Sequence, residues 1–204
     1  RPHKRFLVQN SGALMTPNSK PAGPASGLSF LDPRGDALPR PHGNTYWLWA
    51  GRVLAGEHPA KEGEAALLER LQLMAQIGIT HFIDLTSPND PLKAYWPLGG
   101  AIRINHPIAD FGVPSVAQMN GILHSIDEAL QNGGKVYVHC RAGIGRTGTV
   151  AATWLANQGM TSQAALDLLL QKWQAVDKHL EEPHTPETQA QRQFVLAWPS
   201  SLAS

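Results

Sequence analysis

Ten residues, His139-Cys140-Arg141-Ala142-Gly143-Ile144-Gly145-Arg146-Thr147-Gly148, constrain this chain more than any other stretch. An apolar run over 135–138 leads into them, and a helix-like run over 149–157 follows. The pattern places a thiol at the end of a strand, a glycine-bearing loop after it, and an arginine at a helix start. Backbone N–H groups in such a loop converge on one anion, and the positive end of the helix adds to the field. The same surroundings favour the ionised form of a thiol and make it a nucleophile. Five residues separate Cys140 from Arg146, a span short enough to curl around one tetrahedral anion. Gly143 and Gly145 permit backbone angles that other residues avoid. The Arg146 guanidinium matches two phosphate oxygens at once, which lysine does not.

Periodicity sets out the other elements. Tyr46-Trp47-Leu48-Trp49 and Arg52-Val53-Leu54-Ala55 read as two short strands around Gly51. Leu67, Leu68, Leu71, Met74 and Ala75 share one face of a helix over 61–77, which Gly78 closes. Residues 79–85 read as a strand, Pro88-Asn89-Asp90-Pro91 as a loop, and 101–106 as a strand ended by Pro107. Val116, Met119, Leu123, Ile126 and Leu130 mark a helix over 115–131, stopped by Asn132-Gly133-Gly134. Two helices follow the cysteine loop's own: one over 162–176 with Thr161 as N-cap, and one over 186–197 with Thr185 before Pro186 as its cap. Strands alternating with helices predict an α/β fold, a central mostly parallel sheet flanked by helices. The cysteine loop then sits at a strand-to-helix turn, at the carboxyl end of a central strand, where ligands bind in such sheets. Residues 1–44 differ, with prolines scattered among Gly, Ser and Asn and no sustained period. They read as a Pro/Gly-rich tail, partly laid over the domain through Phe6-Leu7-Val8 and Leu28-Ser29-Phe30-Leu31, ahead of a domain over 45–204.

A formal net charge of +1 excludes nucleic-acid or acidic-membrane binding by bulk charge. No apolar run has the length of a membrane span. Cys140 is the only cysteine, which excludes a disulfide within the chain and a cysteine-rich metal site. A solitary cysteine is ordinarily a small buried hydrophobe, but the glycines and arginine after this one have no place in that reading. The histidine spacings form no metal-ligand pair. Trp47, Trp49, Trp154, Trp173 and Trp198 read as core. Tyr95 and Trp96 are candidates for lining a substrate mouth, and Asp84 reads as a loop-capping carboxylate.

The run H-C-x2-G-x2-R-T-G resembles the signature of the protein tyrosine phosphatase superfamily, matched over its whole length. Pro107-Ile108-Ala109-Asp110-Phe111-Gly112-Val113-Pro114 looks like the acid loop of the dual-specificity branch, not the Trp-Pro-Asp form of the tyrosine-specific branch. Arg52-Val53-Leu54-Ala55-Gly56 resembles the opening strands of bacterial dual-specificity-like members, and the likeness covers roughly 45–198. The resemblance implies a cysteine-dependent phosphomonoester hydrolase. Its substrates would be phosphotyrosine, and also phosphoserine or phosphothreonine, in proteins, by way of a cysteinyl-phosphate. It implies Cys140 as nucleophile, with Arg141, Ala142, Gly143, Ile144, Gly145 and Arg146 as the phosphate cradle. Asp110 would be the general acid and then the base. Thr147 would stabilise the departing sulfur, and His139 would hold the loop. Residues 186–194 are similar to a glutamine-bearing segment that positions water; Gln191 is the better match and Gln189 the alternative. Neither metal nor cofactor is implied, and phosphate, vanadate or sulfate would fit the cradle. The reduced thiol suits a cytoplasmic setting.

Phosphoinositides and other small phosphomonoesters are the alternative substrates. Ile144 stands where the 3-phosphoinositide branch usually carries lysine, which favours proteins. A rhodanese-like sulfurtransferase also binds an anion over a cysteine loop, but the Arg-Thr-Gly ending and the upstream aspartate count against it. A phosphotyrosine-binding pseudophosphatase would usually lack the cysteine, the arginine or the acid, and all three are present.

Overall fold

The structure, a computed structural model, describes residues 37–199. The tail contacts expected of Phe6-Leu7-Val8 and of 28–31 lie outside the described residues. Five strands, β1 (Thr45–Trp49), β2 (Val53–Gly56), β3 (His81–Asp84), β4 (Ile102–Asn105) and β5 (Val136–His139), form one sheet. Its order is β1-β2-β5-β3-β4. The β1–β2 hairpin is antiparallel and the other pairings are parallel, as the alternating pattern predicts. The helices are α1 (Glu64–Gln76), α2 (Val116–Gln131), α3 (Gly145–Asn157), α4 (Ser162–Trp173) and α5 (Gln189–Leu196), with a 3₁₀ turn over Asp177–Leu180.

β5 is the central strand, and every residue of it is buried. A parallel strand covered on both faces reads as a continuous apolar run, which is why 135–138 is so legible. Neighbouring side chains leave a strand on opposite faces. Accordingly Ile83 and Val138 join a core with Met119, Val150, Trp154, Leu169 and Val195. Phe82 and Tyr137 join a second core with Trp47, Leu54, Leu71 and Met74 of β1, β2 and α1. The register sets Gly56, His139 and Asp84 side by side at the carboxyl ends of β2, β5 and β3. The cysteine loop departs from that row.

Local differences from the periodicity have physical causes. α3 begins at Gly145, four residues before the expected 149, because the loop itself winds into the first turn. α5 begins at Gln189 and not at 186. Its N-cap is Thr188, whose hydroxyl accepts from Gln191 N, while the Gln191 side chain reaches back to the cap backbone in a capping box. Thr185 is spent elsewhere: its hydroxyl donates to Ile144 O at 2.7 Å. Thr161 caps α4 as expected, and Ser115 with Gln118 forms a capping box on α2. Trp47, Trp154, Trp173 and Trp198 are buried and Trp49 stacks on Trp154. Tyr95 does not line a mouth: it is buried, with its hydroxyl on His139 Nε2, and only Trp96 is open to solvent. Among the described residues no helix is long and apolar enough to cross a membrane.

Candidate active site

Cys140 leaves the end of β5 and is 2% exposed. Its Sγ accepts from Gly143 N at 3.3 Å. The loop above it is held by its carbonyls. Cys140 O meets His139 Nδ1 at 3.0 Å, Arg141 O accepts from His58 N at 3.1 Å, Ala142 O from Lys178 Nζ at 2.9 Å, and Ile144 O from Thr185. In a trans peptide the carbonyl and the next N–H point opposite ways. Pulling four carbonyls outward therefore turns the N–H groups of Arg141, Ala142, Gly143 and Gly145 away from those donors, and Gly143 N is seen to reach the sulfur.

Gly143 is required twice over. Its φ is 74°, and a Cβ there would lie 2.5 Å from the Gly56 carbonyl carbon and 2.7 Å from Glu57 N. A Cβ on Gly145 would meet the Gln191 amide at 2.8 Å. Beneath the loop, buried Glu57 receives Lys178 Nζ at 2.6 Å and Arg70 at 3.0 Å, so the lysine that pins Ala142 has its charge matched.

Arg146 is 2% exposed. Its Nη1 donates to Asp90 Oδ2 at 2.9 Å and Ile108 O at 2.9 Å; its Nη2 donates to Asp90 Oδ1 at 2.8 Å and Asp110 Oδ1 at 2.9 Å. All four terminal N–H groups are thus engaged, and Nε alone has no hydrogen-bond partner among the described residues. The fork-on-fork pair holds the Asp90 carboxyl down at about 2, with help from Ser87. Burial alone would lower the pKa of Arg146, but its carboxylate partners and the neighbouring Cys140 leave it raised.

Asp110 lies on the loop between β4 and α2, with its side chain 36% exposed, and Arg141 Nη1 stands 3.6 Å from its Oδ2. The next residue, Phe111, has a φ of 59° and donates its N–H to Asp110 Oδ1 at 3.1 Å. Thr147 is fully buried; its hydroxyl donates to Gly56 O at 3.5 Å. His139 donates from Nδ1 to Cys140 O, so Nε2 accepts the Tyr95 hydroxyl, and burial keeps the ring neutral by lowering its pKa. Gln191 is fully buried: Oε1 accepts from Glu187 N and Thr188 N, and Nε2 donates to Gly112 O at 3.1 Å. The amide ties the start of α5 to the Asp110 loop, while Gln189 faces solvent.

The structure thus gathers Cys140, Arg146, Asp110, Thr147 and Gln191 around one loop and adds residues the periodicity left unmarked. Asp90 looked like a turn residue in a Pro-Asn-Asp-Pro loop. A buried guanidinium demands a carboxylate partner, so an acidic residue in the loop after the neighbouring strand was the signal to follow. Lys178, inside a short 3₁₀ turn, gave no such signal. Asp84 is the loop cap expected of it, accepting from Thr86 N at 2.9 Å.

His58 bears on acid stability. Burial, then the neighbouring His139, pushes its pKa down to about 3. The unfolded chain takes up this proton near pH 6.5 and the folded chain only near 3, so this contribution to stability is whole above 6.5 and shrinks as pH falls. His42 is shifted in the same direction, to about 3. A loss of up to about 2 kcal/mol from His58 is expected by pH 5, seen as a lower Tm there than at pH 7.

The chain is similar to several known proteins. The solved structure of Tk-PTP in its active form superposes with a TM-score of 0.56 at 29% identity, covering 71% of this chain and 88% of that one. A mutant form of the same protein gives 0.55 at 30% identity, covering 71% and 87%. PTPMT1 in complex with PI(5)P shares the fold at 17% identity and a TM-score of 0.55, covering 72% and 90%. Cyclin-dependent kinase inhibitor 3 of Sus scrofa is 38% identical over 72 residues, 34% of each chain. Putative tyrosine phosphatase 067L of Invertebrate iridescent virus 3 is 29% identical over 132 residues, 63% of this chain and 53% of that one. The chain spans about a third of the length of the first curated relatives it matches. The phosphatase domain described as "Swiss Army Knife protein, DSP-PTPase phosphatase domain" matches residues 43–195. A family match over most of the chain, with a shared overall fold, makes the chain a member of that DSP-PTPase family of dual-specificity and tyrosine phosphatases.

Proposed function

We propose that the chain hydrolyses phosphotyrosine, and also phosphoserine or phosphothreonine, in proteins through a cysteinyl-phosphate on Cys140. The observation that carries this reading is the state of Arg146. Three of its terminal N–H groups are committed to Asp90 and Ile108, which fixes the guanidinium plane. That leaves Nε, together with the Nη2 hydrogen now on Asp110, as an adjacent pair of donors for two phosphate oxygens.

An arriving phosphate monoester monoanion takes that pair and displaces the Asp110 carboxylate, which takes up the ester's proton and stays beside Arg141 at the rim, where the leaving oxygen emerges. Cys140 Sγ attacks phosphorus in line. The bond to the leaving oxygen breaks, and Asp110 gives that oxygen its proton. Water then attacks the cysteinyl-phosphate, Asp110 takes the water's proton, and sulfur departs with the Gly143 N–H and the Thr147 hydroxyl to receive its charge. Arg146 and the loop amides hold the equatorial oxygens through both steps, so positioning and charge stabilisation carry the rate. Gln191 acts through Gly112, holding the acid loop in register with the cysteine loop.

Leaving-group dependence tests the acid. Asp110→Asn is expected to slow phenyl phosphate about 100-fold or more, and p-nitrophenyl phosphate, whose leaving group needs no proton, by less than about tenfold. Equal losses on both esters remove Asp110 from this role. A panel of phosphopeptides and phosphoinositides ranked by kcat/KM assigns the substrate class.

A further inference from the structure

Beside the cysteine loop lies a second, solvent-open cavity of about 230 Å³ over the carboxyl ends of β3 and β4. His58, Asp84, Asp90, Lys93, Arg103 and Asn105 line it. It shares two residues with the walls of the phosphate cradle. Asp90 carries Arg146, and His58 holds Arg141 O and packs its ring 5.1 Å from that of His139. Its volume is below that of a drug-sized ligand site and suits one side chain or one phosphate group.

The hydrogen-bond inventory of the walls is lopsided. The carboxylates are spent on the protein: Asp84 Oδ1 on Thr86 and Oδ2 on Arg103, Asp90 on Ser87 and Arg146. The Asn105 amide donates to Asp84 O and Thr86 O. What remains open is a set of donors. His58 is 2% exposed, and its Nδ1 accepts from Ala60 N at 3.0 Å, which places the ring proton on Nε2. That Nε2–H has no hydrogen-bond partner among the described residues. The Arg103 guanidinium lies 5.4 Å over the Tyr95 ring and gives Asp84 a single bond at 3.3 Å, leaving its other N–H groups without protein acceptors among the described residues. Lys93 stands at the rim, held by Glu64 at 2.6 Å. The His58 Nε2–H borders the cavity and is free to donate to an acceptor there, and an arginine held over an aromatic ring keeps N–H groups for a planar or tetrahedral oxyanion.

We infer that this cavity is a second anion subsite, taking a carboxylate or phosphate group of the same substrate molecule whose phosphate enters the cradle. The inference rests on the cradle reading given above and deepens it: a phosphoryl residue flanked by an acidic side chain, or by a second phosphate, is the preferred substrate. Arg103 and His58 Nε2–H hold the flanking group.

Three tyrosine phosphopeptides test this, identical but for an acidic residue, an alanine or a second phosphoresidue beside the phosphotyrosine. p-Nitrophenyl phosphate, which reaches only the cradle, serves as reference. Wild type is expected to show kcat/KM about tenfold higher for an anionic neighbour than for alanine, and the better of the two anionic peptides identifies the source. Arg103→Gln brings the ratio to about one with p-nitrophenyl phosphate turnover unchanged, and Arg103→Lys keeps most of it. Arg192→Gln, an equal loss of charge on the exposed face of α5, leaves the preference intact. If Arg103→Gln fails to fold, Lys93→Gln at the rim is expected to halve the ratio or lower it further. Equal kcat/KM on all three peptides, or a preference that survives in these cavity variants, overturns the subsite. No turnover of p-nitrophenyl phosphate by wild type overturns the cradle reading, and the subsite with it.

Discussion

Replacing Cys140 with serine is expected to lower phosphomonoester turnover by about 10,000-fold or more while phosphate and tungstate still bind. A hydroxyl is a weak nucleophile unless a base takes its proton, and in the first step, where Asp110 must serve as the acid, no base is left for it. The adjacent residue His139 has Nδ1 on Cys140 O and Nε2 on the Tyr95 hydroxyl. Its ring is oriented by the strand end and cannot turn towards position 140 without breaking both contacts. Anion binding, by contrast, draws on the loop amides and Arg146, which the substitution leaves in place. The loop is pinned by Lys178, Thr185 and His58 through its carbonyls, none of which involves the sulfur. Initial rates alongside calorimetric titration with tungstate separate the two properties. Hydrolysis by Cys140→Ser at the wild-type rate would refute the covalent route.

Arg146→Lys should cost about 1,000-fold in kcat/KM at nearly unchanged Tm. An ammonium keeps the charge but cannot reproduce the plane. In the native site one guanidinium meets both oxygens of Asp90, the Ile108 carbonyl and Asp110 at once. A lysine has three donors to cover these acceptors and none left for phosphate oxygens. The Asp90 carboxyl would also lose the bonds that chiefly hold its pKa down, and it would titrate at higher pH than in the native protein. A variant retaining more than a tenth of wild-type kcat/KM, or one that loses activity only because it melts earlier, would remove the bidentate grip from the mechanism.

The fold and the centre of the site were legible because both rest on short-range patterns. Burial on both faces makes β5 a continuous apolar run. The loop after it needs glycine where φ is positive and the backbone of Gly56 presses close, and those demands fall on neighbouring residues. The Asp110 loop was legible only through its likeness to a known family, since a lone aspartate before a helix has many ordinary explanations. The remaining residues are joined across long stretches of chain. Asp90 and Arg146 are 56 positions apart, and Lys178 and Ala142 36 apart. No periodicity connects such pairs. Tyr95 lies in a segment without regular structure, where alternation gives no hint of which side chains turn inward. The shift of the α5 start from 186 to 189 has a simple cause. Thr185 and Thr188 both suit an N-cap, and the fold spent the first hydroxyl on Ile144 O.

The contact between Arg146 and Asp110 also bears on how the cycle ends. In the resting protein the carboxylate occupies an N–H that an incoming phosphate must take from it. In the proposed cycle inorganic phosphate holds that same N–H once the ester is cleaved, and Asp110, after passing to the phosphate the proton it took from water, reclaims it. The aspartate is a tethered rival at permanently high local concentration. Under that proposal free phosphate is expected to cling less tightly than the bare cradle would allow, product inhibition to be blunted, and each turnover to reset the site by intramolecular exchange.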